Sequence, residues 1–182
     1  MTNELEPQRT SLDPVTIHAD LSEWIIKVTG ETNAIISEFD RPSGSGMSSE
    51  TLLFESTWGE AENEVHKKLV ARLAPTDQDI PVFPNYNLSS QVKVMKLVEQ
   101  LTDIKVPKVL WEEASIDVLG VPFFVMEQIQ GRVPPDIPPY VFGGWLFDAT
   151  PESQLRLQEL CVGIIAQLHQ IKQKSPDTDF LE

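Results

Sequence analysis

The sequence predicts an α+β fold in which a small antiparallel sheet is combined with helices. Short segments rich in β-branched and aromatic residues recur on both sides of turn signals, as in β-hairpins. Apolar residues recur at helical spacing in three other stretches. The first half therefore has the order helix, strand, glycine-rich loop, strand, turn, strand. The 182 residues are enough for one ordinary domain or for one lobe of a larger enzyme.

The chain is acidic, and its charge is unevenly distributed. It contains 28 Asp and Glu against 14 Lys and Arg, and residues 1–65 hold 13 acidic and 3 basic residues. Binding to nucleic acid or to an anionic membrane is therefore disfavoured, whereas a cationic ligand is favoured. The single cysteine, Cys161, excludes an internal disulfide and a Cys-based zinc cluster. No apolar run approaches 18 residues and no secretory signal is visible, so we expect a cytoplasmic protein.

The first half is expected to begin with a polar lead-in over residues 1–19. A helix should start at Asp20, because Asp20 and Glu23 have the spacing of a capping box, and Gly30 should end it. Strands are expected at 34–39, 51–58 and 65–73, with turns at 41–49 and 59–63.

The second half should begin with a proline-rich loop, 75–87, and then continue with two helices and two strands. The first helix, 89–101, carries an apolar stripe of Val94, Met95, Leu97, Val98 and Leu101. Strands are expected at 106–111 and 122–129, with a turn at 117–120 between them. Residues 131–150 are loop-like and contain four prolines. The long helix, 151–172, should be capped by Thr150. Its predicted core face consists of Leu157, Leu160, Cys161, Ile164, Ile165 and Leu168.

The most suggestive local pattern is the loop Gly44-Ser-Gly-Met-Ser-Ser. It lies between two predicted strands, whereas Rossmann and Walker A loops run into a helix. A position between strands fits the phosphate-covering loop of kinases, although an ordinary hairpin turn is the commoner meaning of such a composition.

Two further segments could carry chemistry. Strand alternation places Lys68, Val70 and Arg72 on one face, where a kinase needs a cation to pair with nucleotide phosphates. A solvated face is the alternative. The apolar run Phe123-Phe-Val-Met-Glu could be the last strand before a hinge, or simply a buried strand.

Together these segments resemble the aminoglycoside phosphotransferase family, small-molecule kinases that share the protein-kinase fold. The resemblance covers about residues 20–172. It rests on the runs Ser45-Gly-Met-Ser-Ser-Glu-Thr, Leu69-Val-Ala-Arg-Leu-Ala-Pro, Val106-Pro-Lys-Val-Leu-Trp and Leu119-Gly-Val-Pro-Phe-Phe-Val-Met-Glu. It implies a kinase-like, nucleotide-binding N-lobe and hinge over residues 20–130. Residues 131–182 would then be the beginning of a helical C-lobe.

The resemblance also implies roles for individual residues. Four loop residues would cover the ATP phosphates: Ser45, Gly46, Met47 and Ser48. Arg72 would pair with those phosphates in place of the usual Lys. Met126 would precede the hinge, and backbone groups of Glu127 and Ile129 would meet the adenine edge. Gln91 stands where the family usually has a Glu that pairs with the cation, so it would bind Arg72 without adding charge.

One departure from the family is larger. The His-Gly-Asp…Asn loop and the later Asp motif, which would orient the hydroxyl and bind Mg²⁺, do not occur in the sequence. No catalytic and no metal-binding residue is therefore assigned, and we expect a truncated chain that is inactive alone.

For the complete protein the resemblance implies phosphorylation of a hydroxyl on a small molecule by ATP and Mg²⁺. The alternative is a non-catalytic module that binds a nucleotide or a protein. The sequence specifies neither the acceptor substrate nor the oligomeric state.

Overall fold

The computed structural model describes residues 12–40, 50–76, 86–135, 138–171 and residue 180. Within these residues it contains three α-helices and five β-strands. The helices are α1 (Pro14–Thr29), α2 (Leu88–Leu101) and α3 (Pro151–Leu168). The strands are β1 (Ile35–Ile36), β2 (Glu50–Trp58), β3 (Val65–Leu73), β4 (Val109–Glu113) and β5 (Phe123–Glu127).

The strands form one sheet in the order β1-β2-β3-β5-β4, and each neighbouring pair is antiparallel. The predicted α+β class with an antiparallel sheet is therefore confirmed. The longest pairing is the β2–β3 hairpin, which runs from Glu50 opposite Leu73 to Trp58 opposite Val65. The turn at its tip needs Gly59, whose φ is +88° and where a Cβ atom would lie 2.5 Å from the backbone oxygen of Asn63.

Helix α1 begins at Pro14, so residues 14–19 are helical and the predicted start at Asp20 is wrong. The N-cap is Asp13, whose carboxylate accepts hydrogen bonds from the backbone N–H and the hydroxyl of Thr16, at 2.9 and 2.7 Å. Pro14 fits at the first helical position because the N–H that proline lacks would have no partner within the helix there. The predicted end at Gly30 is confirmed, since Gly30 adopts a left-handed conformation and its N–H donates to the Ile26 oxygen.

The two faces of the sheet carry different helices. On β5, Phe123 and Phe124 are adjacent and both fully buried, so they point to opposite faces. Phe123 belongs to the larger core with α1, whereas Phe124 packs with the α2 side chains of Leu88 and Val92. The sheet is therefore the middle layer between α1 and α2.

Aromatic rings fill the core beneath α1. The ring centroid of Trp24 lies 4.7 Å from that of Phe123 and 6.2 Å from that of Trp111. The indole N–H of Trp24 donates to a carboxylate oxygen of Glu113 at 3.1 Å, which satisfies its polar group. A register shift in β4 lies between Val109 and Trp111, which places Val109 with the α2 cluster and Trp111 with the α1 core.

Helix α2 starts one residue earlier than predicted, after the N-cap Asn87. Part of its predicted apolar stripe is wrong, because Val94 and Leu101 are 37% and 53% exposed. Leu88, Val92 and Met95 pack in the α2 cluster, and their spacing of four and three residues defines one side of the helix. The predicted helix began at Ser89 and therefore did not include Leu88.

Helix α3 has the predicted cap, since the hydroxyl of Thr150 accepts from the N–H of Ser153 at 3.3 Å. Its predicted core face is wrong: no side chain of α3 is buried, and Cys161 is exposed. An amphipathic pattern shows which face a helix can bury, but burial also requires a partner surface. Among the described helices, none has the length and apolar character needed to span a membrane.

The Asp13 cap makes the stability of α1 dependent on pH. Hydrogen bonds from the side chain and backbone of Thr16 hold the pKa of Asp13 below its ordinary value of 3.8. Its stabilising contribution is therefore complete above that value and is lost as the pH falls through the folded-state pKa. We expect Asp13→Ala to lower Tm at pH 7, with the difference from the wild type shrinking below pH 4. Thermal unfolding followed by circular dichroism measures this difference.

Asp13→Asn is the matched control, because Asn also caps helices but does not titrate. The Tm difference between the Asn and Ala variants should stay constant with pH. A wild-type advantage over Asp13→Ala that is unchanged between pH 7 and pH 3 would contradict the assigned cap.

The core beneath α1 predicts a second result. Leu21 is fully buried there, whereas Val15 on the same helix is 78% exposed. We expect Leu21→Ala to lower the free energy of unfolding by about 2–5 kcal/mol. Val15→Ala should change it by no more than about 0.5 kcal/mol. Urea denaturation measures both, and similar values for the two variants would mean that α1 does not pack on the sheet.

Candidate functional site

The candidate site lies on the face of the sheet that carries α2. The β2–β3 register places Lys68 opposite Glu55, Val70 opposite Leu53 and Arg72 opposite Thr51. The predicted alternation along β3 is therefore confirmed. On its other side Arg72 lies opposite Phe124, which is fully buried and packs against α2.

The two cations of this face have different surroundings. Lys68 is exposed and forms an ion pair with Glu55, with 3.0 Å between Nζ and Oε1. Arg72 is half-buried and lies across the strands from the buried ring of Phe124. A charge in partly desolvated surroundings interacts more strongly with an anion than a solvated one does. Arg72 is therefore the better placed of the two to bind a phosphate.

Gln91 lies on α2, one turn from Leu88 and beside Val92, and is half-buried. Because Leu88 and Val92 pack on Phe124, Gln91 is on the sheet-facing side of the helix. The structure thus places Arg72 and Gln91 on the two sides of one helix–sheet interface. The amide of Gln91 offers donors and an acceptor, but no charge.

The residues predicted to form a hinge lie at the end of β5 and just beyond it. Met126 is half-buried and packs in the α2 cluster, on the same face as Phe124. The side chain of Glu127 points to the other face of the sheet, where its carboxylate accepts a hydrogen bond from the Nζ of Lys67. Its backbone N–H donates to the oxygen of Lys108 at 2.9 Å. Of the Glu127 backbone groups proposed for adenine, the carbonyl is therefore the candidate.

The last hydrogen bond between this segment and the sheet runs from the N–H of Gln128 to the oxygen of Lys68, at 2.8 Å. Ile129 is the next residue along the chain. The Ile129 side chain is 55% exposed. Within the part of the chain that the structure describes, its backbone N–H donates to no protein acceptor. It is therefore an available donor at the predicted position.

The four predicted loop residues, Ser45, Gly46, Met47 and Ser48, lie outside the described residues. Strand β2 begins at Glu50, and Thr51 is the register partner of Arg72.

Sequence reasoning missed Glu50, which is only 6% exposed. It lies opposite Leu73, on the face that also carries Leu52 and Phe54. The alternation Glu50, Leu52, Phe54 was the available signal, because it continues a buried face to an acidic residue. A buried carboxylate next to the predicted loop is a polar feature of this end of the sheet.

A shallow groove lies at another place, where the start of α1 meets the outer edge of the sheet. It is lined by Pro14, Val15, His18, Ala19, Glu38 and Phe39. His18 packs on Phe39, with 5.2 Å between ring centroids. The groove lies on the α1 side of the sheet, whereas Arg72 lies on the α2 side, so the two places are distinct. In the described ranges no group of three or more His, Cys, Asp or Glu could hold a metal ion.

The described residues define an α+β domain with a half-buried arginine on one sheet face and, just past the end of β5, a backbone N–H without a protein acceptor among these residues. No protein-family model matches the chain.

Proposed function

We propose that this chain contains the nucleotide-binding lobe of an ATP-dependent phosphotransferase that resembles the aminoglycoside phosphotransferases. The acceptor would be a hydroxyl group of a small molecule, and the protein would act in the cytoplasm. The observation that supports this most is the placement of Arg72 across from Phe124, on the sheet face that α2 covers.

Arg72 supplies the cation that phosphoryl transfer requires. A guanidinium can bind phosphate oxygens through two parallel N–H donors, which fixes orientation as well as charge. The loop expected to cover the phosphates precedes β2 in the sequence, and Thr51 of β2 lies directly opposite Arg72. Backbone N–H groups of that loop could then contact the same phosphates.

The hinge would bind the base. Adenine presents a donor and an acceptor along one edge, and the Glu127 carbonyl and the Ile129 N–H offer the complementary groups. Met126 packs in the apolar cluster with Phe124 and Val109, so it offers the base an apolar neighbour.

The transfer step itself needs a carboxylate to orient the hydroxyl and ligands for Mg²⁺. The sequence contains no His-Gly-Asp…Asn loop to supply them. For this chain the proposal is therefore tested by nucleotide binding. Turnover is tested with a longer version that includes such a loop.

A non-catalytic binding module is the second candidate. It is favoured by the exposed apolar residues of α3, among them Leu160 at 50% and Ile165 at 52% exposure. Saturable binding of Mg-ATP supports a nucleotide site in either candidate. A chain that binds no nucleotide but forms a stable complex with a protein would support a protein-binding module alone.

The role of Arg72 gives the first functional prediction. We expect Arg72→Met to weaken Mg-ATP binding roughly 10- to 100-fold, because a charge-assisted hydrogen bond is lost. Arg72→Lys should recover part of the affinity, since it restores the charge without the paired donors. Isothermal titration calorimetry gives the dissociation constants, and circular dichroism checks that each variant is folded.

Lys68→Met is the matched control, because it removes one positive charge from the same face of the same strand. It should change the affinity less than threefold, since Lys68 is exposed and paired with Glu55. Equal losses for the two variants would show a general electrostatic effect and would contradict the assigned site.

The hinge gives the second prediction. Replacing Ile129 by Pro removes the backbone N–H, whereas replacing it by Ala keeps that donor and removes only an exposed side chain. We expect Ile129→Pro to weaken ATP binding at least fivefold and Ile129→Ala to leave it nearly unchanged. Titration with a fluorescent ATP analogue measures both. A loss with Ala as large as with Pro would exclude recognition by this N–H.

A further inference from the structure

The segment that follows the hinge folds back on a tryptophan. The indole N–H of Trp145 donates to the backbone oxygen of Val133 at 3.1 Å. The guanidinium carbon of Arg132 lies 4.7 Å from the centre of the Trp145 ring, within the range of a cation–π contact. One side chain therefore holds two consecutive residues that come directly after Gly131. We call Arg132, Val133 and Trp145 the tryptophan clasp.

Backbone packing brings the two sides of the clasp together. Gly144 has a φ of +94°, and a Cβ atom there would lie 2.8 Å from Cγ of Pro135. Glycine therefore permits the close approach of the two segments. The clasp is also connected to α3, because the side-chain amide of Gln154 donates to the oxygens of Leu146 and Phe147, at 2.9 and 3.2 Å.

The clasp lies a short distance along the chain from the hinge. The last bond between the hinge and the sheet is made by the N–H of Gln128, and the next fixed backbone group is the oxygen of Val133. Between them lie Ile129 to Arg132, all exposed and including a glycine. A segment of this kind loses much conformational entropy when it is ordered. Fixing both of its ends in the free protein therefore reduces the entropy that is lost when a ligand binds.

We propose that Trp145 is a positioning residue for base recognition: the tryptophan clasp holds the hinge so that the Glu127 carbonyl and the Ile129 N–H face the adenine edge. This inference rests on the proposed function and adds to it the element that sets the hinge conformation. Trp145 acts through Arg132 and Val133 and does not itself contact the nucleotide.

A comparison of ligands with and without the base distinguishes this role from a general stabilising role. Breaking the clasp should weaken ligands that contain the base, such as ATP and adenosine. It should leave Mg-tripolyphosphate, which has no base, bound as before through Arg72. A defect in the fold as a whole would weaken all three ligands.

The test uses two variants that each remove one half of the clasp. Trp145→Phe keeps a ring but loses the indole N–H, and Arg132→Met removes the cation but leaves the hydrogen bond of Trp145. Phe142→Leu is the control, since Phe142 is an aromatic residue of the same loop that is 76% exposed. Calorimetric titrations with Mg-ATP, adenosine and Mg-tripolyphosphate are made on the full chain.

We expect Trp145→Phe and Arg132→Met to weaken Mg-ATP and adenosine roughly 3- to 10-fold, with tripolyphosphate and the control unchanged. Unchanged ATP binding in both variants would overturn the inference alone, as would an equal loss for all three ligands. A wild-type chain that binds neither ATP nor tripolyphosphate would overturn the proposed function, and the inference with it.

Discussion

Strand β5 buries two phenylalanines at consecutive positions, and the alternation of side chains forces them to opposite faces of the sheet. Phe123 supports α1 through Trp24, and Phe124 supports α2 through Leu88 and Val92. A shift of one residue in the register of β5 would exchange the two faces and unseat both helices. The layered arrangement therefore depends on this register.

The same register determines which residues lie on each face of the sheet. The face with α1 holds the larger apolar core and, of the described residues of the candidate site, carries Glu50 and the side chain of Glu127. The face with α2 carries Arg72, beside the smaller apolar cluster. Arg72 is half-buried there, so its charge stays partly solvated. The rigidity of the first face supports the chemistry proposed for the second.

Local signals were read correctly from the sequence where a single residue decides the geometry. Gly30, Gly59 and Gly120 all adopt a positive φ where a turn or helix end was predicted, and Thr150 caps α3 as expected. Each predicted strand has a counterpart, because alternation and β-branching are themselves local, although β1 covers only Ile35–Ile36 of the predicted 34–39. The start of α1 was missed because Asp13 with Pro14 is as good a start signal as Asp20 with Glu23, and only packing selects between them.

Burial and proximity could not be predicted in the same way, because they depend on partners distant in sequence. The apolar side of α3 has the periodicity of a core helix, yet none of its residues is buried. At the candidate site, strand alternation was enough to predict that Lys68 and Arg72 share a face. The difference in their burial depends on Phe124, which lies more than 50 positions further along the chain.

The geometry of β5 also bears on whether one ligand could reach both ends of the candidate site. Phe124 lies opposite Arg72, and Ile129 follows five residues later along the chain. At about 3.3 Å per extended residue, that separation is roughly 16 Å. An extended nucleoside triphosphate is of this order of length, with its base at one end and its charge at the other. Strand β5, which directs Phe123 and Phe124 to opposite faces, thus also sets the distance between the proposed phosphate end and the proposed base end. This relation would be accidental if Arg72 and the hinge served unrelated purposes, whereas the nucleotide proposal requires it.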